Sequence, residues 1–442
     1  MVPTAPSDVP FAPRRLPFHY AWVVVAAATG GVLCSIPGQT MGVSAFTESL
    51  LGATGLERLT LSNAYLVGTL ASAALLPRAG VLIDRFGVRV AAMLAALLLG
   101  LVLLLLARAD ALAAWIASAV AVEPTAAAVP VLAALFTGLR FAGQGTLTLA
   151  SNTMLGRWFR HRRGLATALQ ATAVSFGFAA APWLFDAWIG TLGWRGAWER
   201  LAWIEIGGAS LWALVLFRET PEACGLSVDA GLGRHPRASG EDEAVATRAE
   251  ALRTRAFWLL ATGLAVHGMF ITGITLHVVD IGAENGLGRD AALGLFLPIA
   301  VASTTTGAVV GWLADRASIR GLLSLFLVAQ AVGFAATAHV GSDLGHVLTV
   351  VGLGVSGGHF AVLSAVGHPR FFGRRHLGAI AGASMSLVVV GSALGPTVLA
   401  ASRTLFDSYR PALYAAACVP LVLGIGLLRP LHANDRAPLR RA

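Results

Sequence analysis

The stretch Gly80-Val-Leu-Ile-Asp84-Arg85 interrupts an otherwise apolar chain, and Gly311-Trp-Leu-Ala-Asp315-Arg316 repeats its pattern 231 residues later. In each copy three residues separate a Gly from an Asp-Arg pair, and long apolar runs lie on both sides. A charged hairpin that recurs between apolar runs indicates a membrane protein built from two related halves. The repeat also predicts that one half moves against the other when the protein works.

The composition supports a membrane location. Of the 442 residues, 56% are hydrophobic and 12% are charged, and the mean hydropathy is +0.72. In soluble domains roughly a quarter of the residues are charged, so this chain is too apolar for a soluble fold. Hydropathy predicts an all-α membrane protein with twelve transmembrane helices. The spans are expected near 20–44, 60–83, 88–108, 127–155, 163–189, 194–217, 256–281, 291–313, 321–340, 345–366, 376–402 and 408–429.

A polar stretch between spans six and seven divides the chain. It is too polar to enter a bilayer and too poor in apolar residues to fold alone, so we interpret it as a linker. Two pseudo-symmetric six-helix halves are therefore expected. The predicted regions are a cytoplasmic N-terminal segment (1–19), an N-terminal bundle (20–217), a cytoplasmic linker (218–255), a C-terminal bundle (256–429) and a cytoplasmic tail (430–442).

The distribution of basic residues predicts the orientation. All 32 are Arg, and most lie in the N-terminus, the linker, the tail and the loops after even-numbered spans. Basic loops stay inside, so both termini are expected in the cytoplasm of a bacterial cell whose inner membrane holds the protein. Because the charge is spread over short loops, a nucleic-acid partner is excluded. The N-terminus shows no pattern of a removable signal peptide.

A second repeated motif allows the lengths of the two halves to be compared. Arg157-Trp-Phe159-x-x-Arg162 recurs as Arg370-Phe-Phe372-x-x-Arg375, at a shift of 213 residues. The shift of the opening motif is larger by 18, so the first half carries 18 extra residues between spans three and four. The apolar stretch Ala109–Pro124 is the expected insertion. Either a surface-lying helix or an over-long third span would account for it.

These motifs resemble those of the major facilitator superfamily. Arg140-Phe-Ala-Gly-Gln144-Gly145 in span four is similar to a second signature of that superfamily. Gly38-Gln-Thr-Met-Gly42, Phe371-Phe-Gly-Arg-Arg-His-Leu-Gly-Ala-Ile and Gly391-Ser-Ala-Leu-Gly-Pro396 resemble the monocarboxylate and oxalate–formate exchanger branch. The resemblance implies alternating access around a central cavity lined by spans one, four, seven and ten. It also implies function as a monomer in the lipid bilayer.

Arg140 is the strongest candidate for a substrate site. It falls about halfway along span four, where an Arg side chain costs at least about 2.5 kcal/mol, so the position needs a partner. We interpret it as a cation that binds an anionic substrate or couples a proton. The alternative is a purely structural Arg, which bonds Gln39, Gln144 or backbone carbonyls and holds helices together.

Other polar residues are candidates for the same site. Substrate binding is predicted for Gln39, Thr40, Tyr65, Gln144, His267 and His359. His titrates near neutral pH, and a carboxyl group inside a membrane is a functional hypothesis by default. His267, His359 and Glu205 are therefore the candidates for proton coupling. The alternative for each is packing or hydrogen bonding between helices.

The twin motif itself predicts a conformational latch. Asp84 and Asp315 can accept hydrogen bonds from Arg side chains after span four or cap the N-terminus of span eleven. Gly80 and Gly311 would let neighbouring helices approach closely. The alternative is a plain topogenic loop. The predicted latch residues are Gly80, Asp84, Arg85, Gly311, Asp315, Arg316, Arg157, Arg162 and Arg163.

No motif indicates an enzyme. The three Cys residues are far apart, and neither a phosphate-binding loop nor a catalytic triad is recognisable, so no cofactor or metal is expected. The sequence predicts a secondary active transporter for a small organic anion, a monocarboxylate, by proton symport or anion exchange. The alternatives are a proton-coupled efflux antiporter for drugs or other hydrophobic compounds and a non-transporting membrane sensor.

Overall fold

A computed structural model of the chain describes residues 9–160, 162–228 and 246–428. Within these ranges the regular secondary structure is helical, and ten helices are long and apolar enough to cross a membrane. Residues 1–8 of the predicted N-terminal segment, residues 229–245 of the predicted linker and the whole predicted tail 430–442 lie outside the described residues. Contacts divide the chain into a first unit, Met1–Trp158 with Ala173–Gly231, and a second unit, Phe159–Thr172 with Leu232–Ala442.

The first unit contains the helices of the first half. They are α1 (Ala21–Cys34), α2 (Thr40–Ser44), α3 (Thr47–Thr54), α4 (Arg58–Phe86), α5 (Val88–Leu106), α6 (Ala109–Val120), α7 (Pro124–Arg140), α8 (Thr148–Trp158), α9 (Arg163–Trp203) and α10 (Ser210–Leu216). The first residues of α9 group with the second unit. Two π-helical turns, Phe141–Leu147 and Ile204–Ala209, join α7 to α8 and α9 to α10.

The ten long helices correspond to twelve spans, because one of them contains two spans and the shorter α1 is a further span. The stretch Arg163–Leu216 is 54 residues long, and its backbone leaves the helical region at Gly193 (φ 71°, ψ 164°). This positive φ favours glycine and marks the turn between spans five and six. With the shorter α1 as the first span, the predicted twelve-helix membrane fold is confirmed.

The first span is interrupted, which the sequence interpretation did not anticipate. It was expected to continue over 20–44, but α1 ends at Cys34. A 3₁₀ turn at Ile36–Gly38 follows, and Gln39 is extended (φ −89°, ψ 159°) before α2 begins. Pro37 lies in the first positions of the 3₁₀ turn and has no N–H to donate, so a regular α-helix is disfavoured there.

The insertion between spans three and four forms a separate short helix. One face of α6, made of Ala109, Ala113 and Ala117, is buried, whereas Trp115 on the opposite face is 68% exposed. Two ion pairs, Arg195–Asp110 and Arg108–Glu199, tie α6 to the start of span six. The structure therefore supports the surface helix and not the over-long third span.

The second unit contains the remaining helices. They are α11 (Arg248–Leu252), α12 (Arg255–Glu284), α13 (Arg289–Gly294), α14 (Phe296–Ala314), α15 (Ile319–Thr337), α16 (Asp343–Phe372), α17 (Leu377–Phe406) and α18 (Arg410–Leu428). The hydroxyls of Thr254, Ser318 and Ser342 cap the N-termini of α12, α15 and α16. Glycines hold the helices close together: a Cβ at Gly391 would lie 2.6 Å from the Ala265 carbonyl oxygen.

Candidate functional site

Arg140 lies at the end of α7 and is only 2% exposed. Its Nη1 donates to the Gly38 carbonyl oxygen and to Thr40 Oγ1, each at 3.3 Å. Both acceptors come from the interrupted part of the first span. Because helix one breaks there, the carbonyl of Gly38 stands outside a regular α-helical ladder and can accept from a side chain.

The surroundings of Arg140 leave its charge uncompensated. The guanidinium carbon lies 5.4 Å from the centre of the Tyr65 ring, and the Tyr65 hydroxyl donates to Thr40 Oγ1 at 3.1 Å. Arg140 Nε is buried without a hydrogen-bond partner. Among the described residues of the first unit, no Asp or Glu forms an ion pair with Arg140. A lone cation at mid-span is costly, and an anion would offset that cost.

Two helix irregularities meet beside Arg140. The 3₁₀ turn of the first span packs on the π-helical turn of span four, with Gly38 against Gly143. A Cβ at Gly38 would lie 2.7 Å from Gly143 Cα and from the Leu139 carbonyl oxygen, so this contact requires glycine. π-Helical turns occur frequently at functional sites. Sequence reasoning missed both turns, although Pro37 next to Gly38 was a signal for the first.

Gln39 forms hydrogen bonds with Ser35 and Thr148. Its Nε2 donates to Ser35 Oγ at 3.0 Å and to Thr148 Oγ1 at 3.5 Å, and Thr148 Oγ1 donates to Ser35 Oγ at 3.0 Å. Ser35 and Thr148 were not predicted. Gln144 Oε1 is buried without a partner. Among the described hydrogen bonds, Arg140 bonds neither Gln39 nor Gln144. It bonds a backbone carbonyl instead, that of Gly38, which was the other structural partner considered.

The two predicted His residues are packed inside the second unit. His267 on α12 is 4% exposed, and its ring stacks on Phe360 with centres 4.8 Å apart. His359 Nδ1 lies 2.9 Å from the Val355 carbonyl oxygen. His267 Nδ1 and His359 Nε2 have no hydrogen-bond partner in the described part of the chain. Their roles in substrate binding and proton coupling stay predictions.

Glu205 belongs to the second π-helical turn. The residue is 1% exposed, and its Oε2 has no hydrogen-bond partner among the described residues. The Ser210 hydroxyl donates to the Glu205 carbonyl oxygen at 3.0 Å. Ser210 thus donates to the backbone of Glu205 and not to its side chain. The side-chain oxygen Oε2 receives no hydrogen bond from the described residues.

The first Gly-x-x-x-Asp-Arg motif takes part in an ion-pair network. Arg157 donates from Nη2 to Asp84 Oδ1 at 2.6 Å and from Nη1 to Glu219 Oε2 at 3.0 Å. The Arg89 backbone N–H donates to Glu219 Oε1 at 3.2 Å. Sequence reasoning missed Glu219, whose signal was its place beside an Arg where span six ends. Arg85 is exposed and lies over the Phe86 ring, and Gly80 is buried in α4.

The second motif uses backbone donors. Asp315 Oδ1 accepts from the Gly164 N–H at 2.8 Å, and Oδ2 accepts from the Leu165 N–H at 3.2 Å. Asp315 therefore caps the start of α9, in span five, and the expected cap of span eleven stays a prediction. A Cβ at Gly311 would lie 2.6 Å from Ala168 Cβ, so the close approach of the two helices requires a glycine at this position.

The remaining predicted latch residues are Arg316, at the end of the second motif, and Arg162 and Arg163, at the start of α9. Arg316 donates to the Trp312 carbonyl oxygen within its own helix at 2.9 Å. Arg163 is 3% exposed and begins α9, and the Arg162 carbonyl accepts from Ala166 in the first turn. Whether these contacts break and form again during function is untested, so the latch remains a prediction.

Helical units of long apolar spans, with the buried Arg140 midway along one of them, define a multi-pass membrane protein. The chain belongs to the Major Facilitator Superfamily, whose family model matches residues 28–396. The superfamily that the motifs indicated is thereby confirmed. The family's members are membrane transporters, and this chain is accordingly a multi-pass membrane transporter.

Several known proteins are similar to this chain. The "uncharacterized 38 kDa protein in 23S RNA operon" of Thermoproteus tenax is 27% identical over 317 residues, which are 70% of this chain and 75% of that protein. The proton:xylose symporter XylE has a TM-score of 0.62 at 17% identity, over 92% of this chain and 95% of XylE. The human organic anion transporter MFSD10 has a TM-score of 0.58 at 16% identity, over 94% of this chain and all of MFSD10. The structural similarity establishes the fold.

Proposed function

We propose that this protein is a secondary active transporter that moves a small organic anion, a monocarboxylate, by alternating access. The observation that carries the proposal is the buried Arg140, which has no acidic partner among the described residues of the first unit. A substrate with a single negative charge would offset the guanidinium charge, and it would add a strong charge-assisted hydrogen bond. The human organic anion transporter among the structural neighbours agrees with this substrate class.

The residues around Arg140 supply an accessible edge for the site. Thr40 is exposed, and Gln39 and Tyr65 are partly exposed, whereas Arg140 lies just behind them. A carboxylate that meets this edge can accept a hydrogen bond from the Thr40 hydroxyl, and from the Tyr65 hydroxyl once that O–H turns away from Thr40. The guanidinium then provides the charge that fixes its orientation. Arg140 is therefore the proposed anchor, and Gln39, Thr40, Tyr65 and Gln144 are the proposed neutral contacts.

The transport cycle and location follow as parts of the same proposal. The transporter would use proton symport or anion exchange, and the ion pair of Arg157 with Asp84 would act as a latch between states. We propose that it works as a monomer in the inner membrane of a bacterium, with both termini in the cytoplasm. The excess of Arg in the cytoplasmic loops supports that orientation.

Ligand-dependent thermal stability tests the anchor. Purified protein is heated with acetate, lactate, pyruvate and benzoate, and with D-xylose and L-fucose as neutral comparisons. A ligand that binds the folded state at 100 times its Kd adds about 2.7 kcal/mol of stability. We expect one or more carboxylates to raise the unfolding temperature of the natural protein, and Arg140→Gln to abolish the rise.

Arg78→Gln is the matched control, because Arg78 also lies in a membrane-spanning helix but is exposed. This variant should keep the full carboxylate response. Uptake of the stabilising carboxylate into proteoliposomes should fall at least tenfold for Arg140→Gln and stay unchanged for Arg78→Gln. If only the sugars stabilise the protein, or if Arg140→Gln transports normally, the anion proposal is wrong.

A further inference from the structure

Glu205 occupies an unusual place in the sixth span. It lies 11 residues before the end of α10 at Leu216, which corresponds to roughly 16 Å along a helix and hence to the middle of the membrane. Trp203 and Ile204 beside it are 64% and 42% exposed, whereas Glu205 is 1% exposed. The π-helical turn thus places apolar side chains on the outer face and directs the only carboxyl group of the turn into the unit.

The helices packed against this turn provide no positive charge. On α5, Gly100 lies against Ile206 and the Ala202 carbonyl, and the only ionisable side chain of α5, Arg89, donates to the Phe217 carbonyl oxygen. On α1, which also packs on this turn, the one ionisable side chain is the Cys34 thiol, which carries no positive charge. Among the described residues of the first unit, no Arg or His pairs with Glu205.

This environment favours a carboxyl group that holds a proton. An ionised carboxylate without a counter-charge is strongly disfavoured in an apolar interior, and the neutral form avoids that cost. The buried Oε2 has neither a donor nor a cation to stabilise a negative charge. Proton release from Glu205 would therefore require a rearrangement of α1, α5 or span six that admits water or a cation.

Helix α1, which packs on the π-helical turn that contains Glu205, leads directly into the segment that builds the Arg140 site. Cys34 ends α1, and the next residue, Ser35, bonds Thr148 and Gln39. Immediately after them the Gly38 carbonyl and the Thr40 hydroxyl accept from Arg140. The proton site and the anion site thus border one short interrupted segment, so a rearrangement of this segment affects both.

From this geometry we infer that Glu205 is the proton-binding site of the transporter and that one proton moves together with each monocarboxylate. The inference rests on the proposed function and decides between its two modes, in favour of proton symport over anion exchange. The loaded carrier would hold a neutral Glu205 and an Arg140 paired with the substrate anion. Transport of one proton with one monoanion is electroneutral.

Two transport assays distinguish the role of Glu205 from the role of Arg140. The carboxylate that best stabilises the natural protein in the thermal experiment is used as the probe, in proteoliposomes. Uptake is driven either by an inward proton gradient or by counterflow at equal pH. Glu205→Gln should lower gradient-driven uptake at least tenfold while it keeps counterflow and thermal stabilisation within about twofold of the natural protein. Arg140→Gln should lose all three.

Glu199→Gln is the matched control, because Glu199 lies on the same stretch of chain but is partly exposed and paired with Arg108. It should retain gradient-driven uptake. Glu205→Asp keeps a carboxyl group and should recover part of this uptake, which separates proton binding from a folding defect. A membrane potential, inside negative, should leave the uptake rate unchanged if transport is electroneutral.

Infrared difference spectroscopy gives a readout that needs no substrate. The natural protein should show the carbonyl-stretch band of a protonated carboxyl group that Glu205→Gln lacks. Normal gradient-driven uptake by Glu205→Gln, or an unchanged infrared band, would overturn the assignment of Glu205 and leave the anion proposal intact. If no carboxylate binds the natural protein, the proposed function fails, and the symport inference fails with it.

Discussion

In the first unit Asp84 accepts a hydrogen bond from the Arg157 side chain at 2.6 Å, whereas in the second unit Asp315 accepts from the backbone N–H groups of Gly164 and Leu165. The two Asp residues occupy equivalent positions of one repeated motif. In these contacts the equivalent residues use different donors: a guanidinium in the first copy and backbone N–H groups in the second.

The partner residues explain the difference. Arg370 is the sequence equivalent of Arg157, but it donates to the carbonyl oxygens of Ala314 and Ala317. Arg157 instead lies between two carboxylates, Asp84 and Glu219, and all three side chains are at most 12% exposed. The first copy thus places a shared cation between two carboxylates, and the second places a carboxylate on two backbone N–H groups beside the close approach at Gly311.

The largest expected effect is that of Arg157→Gln. The substitution leaves the Asp84 and Glu219 carboxylates without their shared cation, and removal of one partner of a buried pair costs about 3–5 kcal/mol. Arg370→Gln, at the equivalent exposed position, should cost about 1 kcal/mol through lost hydrogen bonds. Thermal unfolding of the purified variants measures both. Equal losses would show that the ionic network contributes nothing beyond ordinary hydrogen bonds.

A smaller effect is expected for Gly311→Ala. The new Cβ would lie 2.6 Å from Ala168 Cβ, and overpacking of this kind costs about 1–3 kcal/mol. Gly294→Ala is the control, because nothing lies within 4 Å of a Cβ at Gly294. That variant should be as stable as the natural protein or slightly more stable. If the two variants unfold at the same temperature, the close contact at Gly311 does not contribute to stability.

The smallest effect is expected for Asp315→Asn. The amide oxygen of Asn can still accept from the Gly164 N–H, and Asn caps helices about as well as Asp, so the loss should stay below about 1 kcal/mol. Asp84→Asn removes a charge from the ion-pair network and should cost more, by about 1 kcal/mol. A comparison of the two unfolding midpoints tests this difference. A larger loss for Asp315→Asn would mean that its charge matters more than its geometry.

Much of the architecture was predictable because it depends on local composition. Apolar length defines a span, loop Arg residues predict orientation, and a repeated motif reveals duplication, whichever residues lie nearby in space. The position of Arg140 at mid-span followed from counting along span four. The insertion was located by the unequal shifts, but only the separate helix α6, with its buried face and its ion pairs to span six, decided between a surface helix and a longer span.

The sequence by itself determined the membrane fold, its twelve spans and the mid-span place of Arg140, since hydropathy and charge act residue by residue. The tertiary structure decided the details of the sites. Gly38 and Gly143 are 105 residues apart, and their contact joins the break in helix one to the π-helical turn of span four. The pairing of Arg157 with Glu219 and the cap of Asp315 on α9 also join distant parts of the chain. Such contacts depend on which helices become neighbours, and no local pattern encodes that.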